Sequence, residues 1–124
     1  MYFLNTYCMR NDKENIIVEK SFQFALKIVA FCEELEKARK FVISGQLLKS
    51  GTSVGANIRE AQNAESKQDF IHKIKIATKE ADETKFWLLI CKHSPTYPFD
   101  EQLLADLTEI IKILSKILST SKLK

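Results

Sequence analysis

Three glutamates raise the question of inward-facing carboxylates: Glu60, and the pair Glu80 and Glu83 three residues apart. In a helical bundle, a dinuclear metal centre uses a glutamate from each of two helices. The other two helices each add a glutamate followed three residues later by a histidine. This chain has the carboxylates, but neither His72 nor His93 stands three residues after a glutamate. No metal and no cofactor follow from such a set. Ser50 and Ser53 are the nucleophile candidates, and neither has a histidine on its own helical face. Gly51 and Gly55 are not followed by the Gly-Lys-Ser/Thr of a phosphate loop, and no zinc spacing occurs. Cys8, Cys32 and Cys91 are odd in number and far apart, as expected of reduced intracellular thiols. The chain reads as a non-enzyme.

What remains is hydrogen bonding and charge. The stretch Gln46–Ala61, QLLKSGTSVGANIREA, carries an apolar stripe of Ile43 (just upstream), Leu47, Val54, Ile58 and Ala61. Beside it runs a polar stripe of Gln46, Ser50, Ser53, Asn57 and Glu60. Short uncharged groups at the shoulder of an apolar face suit a seam between packed helices better than a solvated surface. The expected partners are Glu80, Glu83 and Thr84 of the next helix, or a neighbouring subunit. Lys49 and Arg59, with His72, Lys75 and Lys79, fall on outer faces, where they suit a phosphate backbone. Ordinary surface solubility accounts for them equally well.

The elements that hold these residues are helices. The chain has 124 residues, three glycines, two prolines and nearly half apolar residues, which fits one all-α domain. Its net charge of +3 is too small to prove a nucleic-acid partner. Apolar positions three and four apart predict helices over about 14–37, 42–64, 67–92 and 100–118. Short connections between them predict an antiparallel up-down-up-down four-helix bundle over 13–120. Residues 1–12 read as a tail or arm, with Met9 a candidate start, and 121–124 as a second tail. Ser66-Lys67-Gln68-Asp69 resembles a capping box. The prolines of His93-Ser94-Pro95-Thr96-Tyr97-Pro98 separate the last two helices. The end of the third helix, Phe86–Cys91, is apolar all round. Its second stripe, with Ile76, Trp87 and Ile90, is the expected oligomer interface. Lys112, Lys116, Lys122 and Lys124 read as a complement to the dipole of the last helix. No segment reaches about 18 uninterrupted apolar residues, so no membrane span is expected.

The residues of QLLKSGTSVGANIREA, then KQDFIHKIKIATKEADETKFWLLI, with NIIVEKSFQFAL upstream, closely resemble the four-helix-bundle family of 23S rRNA intervening-sequence proteins. The specific features are Val54-x-x-Asn57-Ile58-x-Glu60-Ala61 after Ser50 and Ser53, and Glu80-Ala81-x-Glu83-Thr84. The resemblance covers about Asn15 to Leu118 and implies a bacterial, cytoplasmic up-down bundle. A related protein, the accessory variability determinant of diversity-generating retroelements, is a pentameric barrel of such bundles that binds nucleic acid and a reverse transcriptase through basic surfaces. The resemblance therefore implies a homo-oligomer, a pentamer by that relation, with Arg59 and Lys79 as basic contacts. The expected function is non-catalytic binding of RNA, another nucleic acid or a ribonucleoprotein partner. The alternative is a protein-interaction scaffold that binds no nucleic acid.

Overall fold

The computed structural model describes residues 12–122, with side chains from 16 to 121. Met9 and all but the last residue of the expected 1–12 arm lie outside the described residues. Four helices follow one another: α1 (Asp12–Lys37), α2 (Phe41–Ala61), α3 (Lys67–His93) and α4 (Glu101–Lys122). Each packs on its sequence neighbours, α4 closes the square against α1, and the diagonal pairs do not meet. The directions follow from cross-helix contacts. Ser50 meets Thr84 while Glu60 meets Lys73, so α2 and α3 are antiparallel. The backbone at Gly51 abuts Ile28 while Gly55 abuts Ser21, so α1 and α2 are antiparallel as well. Lys20 pairs with Glu109 and Lys27 with Asp106, which reverses α4 against α1.

The interior is one apolar column. Phe24, Ile28 and Leu35 of α1, Leu47 and Ile58 of α2, Ile74 and Leu88 of α3, and Leu107 and Leu114 of α4 are all fully buried or nearly so. Each such side chain contributes about 1.5–3 kcal/mol when removed from water. The register of α2 differs from the expected one at its start. Its inward face begins with Ser44, whereas Ile43 is half-buried. Ser44 is a polar residue in the core, but its hydroxyl donates to the Cys32 carbonyl oxygen at 3.1 Å. The Cys32 thiol returns a bond to the Ser44 carbonyl oxygen at 3.4 Å. This exchange stitches α1 to α2 and removes the penalty of an unsatisfied buried hydroxyl.

The helix ends obey local chemistry. After α1 the backbone of Arg39 takes a left-handed conformation, φ 65°. The amide of Lys40 reaches the Leu35 carbonyl and that of Arg39 the Glu36 carbonyl, both at 2.8 Å. That is a Schellman stop with arginine where glycine is usual. The turn falls inside the charged run Glu36–Lys40, where no Gly or Pro announces it. α2 stops at Ala61, short of the expected 64. Its last amides tighten into three-residue turns, Gln62 to Arg59 and Asn63 to Glu60. At the start of α3 the Ser66 hydroxyl accepts from the Asp69 amide at 3.0 Å. The Asp69 carboxylate accepts from the Glu65 amide at 3.2 Å, one residue before the usual return bond. Asp100 accepts from the Gln102 amide at 3.0 Å and caps α4. α4 then runs on to Lys122, through residues expected to be a tail. Ser119-Thr120-Ser121 contains no breaker, and a terminal lysine complements the helix dipole.

Gly51 and Gly55 leave α2 continuous. They are sites of close approach by α1, not of irregularity. A Cβ at 51 would stand 2.9 Å from Ile28 Cγ2, and one at 55 would stand 3.2 Å from the Ser21 carbonyl oxygen.

Candidate nucleic-acid interface

The polar stripe of α2 divides once it is placed in the bundle. Ser50 is buried, and its hydroxyl is hydrogen-bonded to that of Thr84, also buried, at 3.0 Å. The Thr84 proton serves the Glu80 carbonyl oxygen at 2.7 Å, which leaves Ser50 to donate between the two hydroxyls. Glu60 reaches α3 too, but its carboxylate accepts from the Lys73 ammonium at 2.9 Å. The other members of the expected seam stay at home. Ser53 donates to the Lys49 carbonyl oxygen at 2.6 Å, and the Asn57 amide donates to the Ser53 carbonyl oxygen at 2.9 Å. Both turn back on their own helix because they lie one step outside the line of contact. Gln46 is exposed. The carboxylate of Glu83 accepts from the Trp87 indole N–H at 3.2 Å, and Glu80 lends the seam its carbonyl.

This arrangement is structural chemistry. Among the described residues no group of three or more His, Cys, Asp or Glu side chains could hold a metal ion. The two thiols among the described residues are buried, and burial pushes both up: Cys32 above its ordinary value, and Cys91 to about 11, with Cys32 nearby adding to the effect. A thiol held protonated in an apolar core is a poor nucleophile.

Charge is distributed with more purpose. Lys49, Arg59, His72, Lys75 and Lys79 are all exposed, but they do not form one patch. Arg59 and Glu60 lie in the last turn of α2, at the level of Lys73 and Lys75 of α3. Lys49 immediately precedes Ser50, at the level of Thr84 and Lys85. Because α4 runs back along α1 and α3, its last turns come beside the first turns of α3. Lys112 and Lys116, exposed on α4, therefore come to the level of Lys75 and Lys79, in the half of the bundle that also holds Lys67 and His72, while Arg59 lines the hollow between α1 and α2 in that same half. Glu65 and Asp69 share that half, with Glu60 tied to Lys73. Among the described residues Arg59, Lys67, Lys75, Lys79, Lys112 and Lys116 form no ion pair. The opposite end carries Glu33, Glu34 and Glu36 of α1 and Asp100 and Glu101 at the start of α4, interspersed with Lys37, Arg39, Lys40 and Lys92, and Asp82 and Glu83 stand within one turn of Lys79. Sequence reading took Lys112 and Lys116 as a dipole complement. The signal that would have added them is the antiparallel direction of α3 and α4, which puts the end of one beside the start of the other.

Of the expected interface residues, Ile76, Trp87 and Ile90 are half-buried. The large apolar side chains of α3 that are exposed are their neighbours Phe86, 54 % exposed, and Leu89, 37 %. The end of α3 is therefore not buried on every side by its own chain. Phe86 packs edge-on against Trp87, centroids 5.1 Å apart.

Residues 13–119 match a family model described as 23S rRNA-intervening sequence protein. The chain belongs to that family. The crystal structure of a protein of unknown function from the S23 ribosomal protein family, from Bacteroides thetaiotaomicron, is similar throughout. It is 46 % identical, with a TM-score of 0.80, over 86 % of this chain and 98 % of that one. Comparison with curated proteins gives no match. The family match spans all four helices, so the Ser50–Thr84 seam, the close approaches at Gly51 and Gly55 and these basic residues all lie within the family's bundle. No helix among the described residues is long and apolar enough to cross a membrane.

Proposed function

We propose that this 23S rRNA-intervening sequence protein is a non-catalytic, homo-oligomeric bundle that binds structured RNA through basic residues of one half. The observation that supports this reading is a set of bases without ion pairs among the described residues, Lys67, Lys75, Lys79, Lys112 and Lys116 on α3 and α4 with Arg59 on α2, gathered in one half of the bundle. The packed helices hold these bases at fixed spacing, so a polyanion meets several of them at once. Five of the six bases are lysines, which meet phosphate as point charges and do not read base edges bidentately. The expected binding is sequence-tolerant and made of phosphate contacts. Several copies in an assembly would multiply weak contacts into useful affinity. A protein-scaffold reading without nucleic acid draws support from the exposed apolar side chains on α1 and α3.

Binding of a structured RNA fragment across a salt series separates the two. Five phosphate contacts give log K a slope of about −3.5 to −4.5 against log salt. Arg59→Glu with Lys75→Glu and Lys79→Glu flattens that slope by about 2–3 and abolishes binding near physiological salt. Lys37→Glu with Lys85→Glu, in the other half, leaves it unchanged. No binding at low salt, or equal losses from both sets, overturns the RNA reading.

A further inference from the structure

The outer surface between α1 and α2 holds a hollow of about 170 Å³. Gly55 lets the two backbones approach there, since a Cβ at 55 would stand 3.2 Å from the Ser21 carbonyl oxygen. With Ala25 and Ala56 it forms a floor without long side chains. Val18 and Phe22 of α1 line one side and Thr52 the other, and Arg59 stands at the end nearest the start of α1. Phe22 is 50 % exposed, so its ring does not serve the core.

Three features define what the hollow accepts. Small-molecule sites begin near ~300 Å³, so this one holds a single ring system and not a whole ligand. Its hydroxyls have committed their protons to their own helices. Ser21 donates to the Val18 carbonyl oxygen at 3.1 Å, and Thr52 to the Leu48 carbonyl oxygen at 2.7 Å. Each oxygen therefore meets an occupant only as an acceptor. Arg59 has no ion-pair partner among the described residues and presents only donors, in a fork that fits a phosphate. The occupant that answers all three is flat, carries an amine and is joined to an anion. An aliphatic side chain of a protein partner would leave the hydroxyl oxygens and the guanidinium unanswered.

We infer that the hollow seats one unpaired nucleotide of a bound RNA, its base against Phe22, its amine toward Thr52 and its phosphate on Arg59. The inference rests on the RNA reading above and adds the place where a single strand is held. It also gives a reason for the one arginine among the six basic residues without ion pairs, which stands on α2, apart from the lysines of α3 and α4. A base stacked within a helix presents no free face to Phe22, so the hollow selects a loop, bulge or end. Stacking tolerates every base, and Thr52 adds a modest preference for adenine over uracil, which has no exocyclic amine.

Two RNAs with equal numbers of phosphates test this at one low salt concentration: a hairpin with an adenosine loop and a blunt duplex. Wild type is expected to bind the hairpin about five- to tenfold more tightly, the lower end of what one stacked base contributes. Phe22→Ala, and separately Ala56→Leu, which fills the hollow from an exposed position, are expected to lower hairpin affinity to the duplex value and leave the duplex value unchanged. Phe22→Tyr is expected to keep the preference. A uridine loop is expected to bind about two- to fivefold more weakly than the adenosine loop, the effect of one neutral hydrogen bond, and Thr52→Val to remove that difference. Helicity by circular dichroism and mass by light scattering are expected to be unchanged in every variant. No binding of either RNA by wild type overturns the RNA reading and this inference with it. Equal affinity for hairpin and duplex, or a Phe22→Ala protein that keeps the preference, overturns the hollow alone. Equal affinity for the two loops overturns the Thr52 contact. A Phe22→Ala protein of lower mass than wild type means that a second copy covers Phe22, and that too overturns the hollow as a nucleotide site.

Discussion

Replacing Gly51 by alanine sets two effects of known size against each other. In an exposed helix interior, Gly→Ala gains about 1 kcal/mol, chiefly by restricting the unfolded chain. Gly45 meets that condition: it is exposed, and a Cβ there would find nothing within 4 Å. At Gly51 the new methyl would stand 2.9 Å from Ile28 Cγ2 and 3.0 Å from Ile28 Cγ1. These atoms flank a β-branch, and Ile28 is fully buried. The side chain cannot swing its near atoms aside without leaving its rotamer or pushing α1 outward. Overpacking of this kind costs about 1–3 kcal/mol, and a branch point pressed on both sides belongs in the upper half of that range. The net for Gly51→Ala is a loss of about 1–2 kcal/mol, a fall in Tm of about 5–10 °C for a domain this size. Gly45→Ala raises Tm by several degrees. The assay is urea and thermal unfolding followed by helicity at one fixed protein concentration, because self-association shifts the midpoint. A double-mutant cycle with Ile28→Ala sharpens it. With both Cγ atoms removed, Gly51→Ala should turn stabilising, with a coupling of about 1–3 kcal/mol. If Gly51→Ala alone raises Tm as Gly45→Ala does, close helix approach is not why the glycine is there.

Arg39→Gly relieves a side chain held at φ 65° and should stabilise the fold by about 0.5–1 kcal/mol, measurable in the same unfolding experiment. Thr84→Val leaves the buried Ser50 hydroxyl without its partner and should cost about 1–3 kcal/mol. Adding Ser50→Ala should recover most of that loss, because no orphaned hydroxyl remains. For Asp106, burial alone would raise the carboxyl, but the hydrogen bonds from Lys27 and Gln102 and the charge of Lys27 outweigh it and hold the group below its ordinary value. A carboxyl depressed in the folded state stabilises at pH above its unfolded value, about 3.9, and that stability is lost as pH falls through the folded value. Asp106→Asn should therefore narrow the stability difference from wild type as pH drops below about 4 and leave the gap constant from pH 5 to 8. A gap that widens in acid would reverse the sign assigned to the Lys27 contact.

Much of this molecule is written locally. Spacings of three and four place Phe24, Ile28, Leu47, Ile58, Leu88 and Leu114 inside with no help from the fold, because a helix of fixed pitch has only one apolar side to bury. Ser66 and Asp100 announce helix starts by capping chemistry that needs no distant partner. The α1–α2 turn was harder to locate. Arg39 carries none of the usual signals, and its left-handed backbone is held by the Leu35 and Glu36 carbonyls. The polar stripe of α2 was legible as a stripe, but its division was not. A few tens of degrees around the helix axis decide that Ser50 meets Thr84 while Ser53 and Asn57 bond to their own backbone. Only packing against α3 sets that angle. The charge map likewise belongs to the tertiary structure, since net charge is the same whichever way the helices run. The antiparallel square brings Lys112 and Lys116 to the level of Lys75 and Lys79 and leaves Lys49 beside Ser50 and Thr84. The sequence determined that there are four amphipathic helices and which side of each is apolar, because those are properties of one helix at a time. Which polar groups pair, which bases share one half of the bundle and which apolar side chains stay uncovered were decided only when four helices took their places, because each of those is a relation between helices.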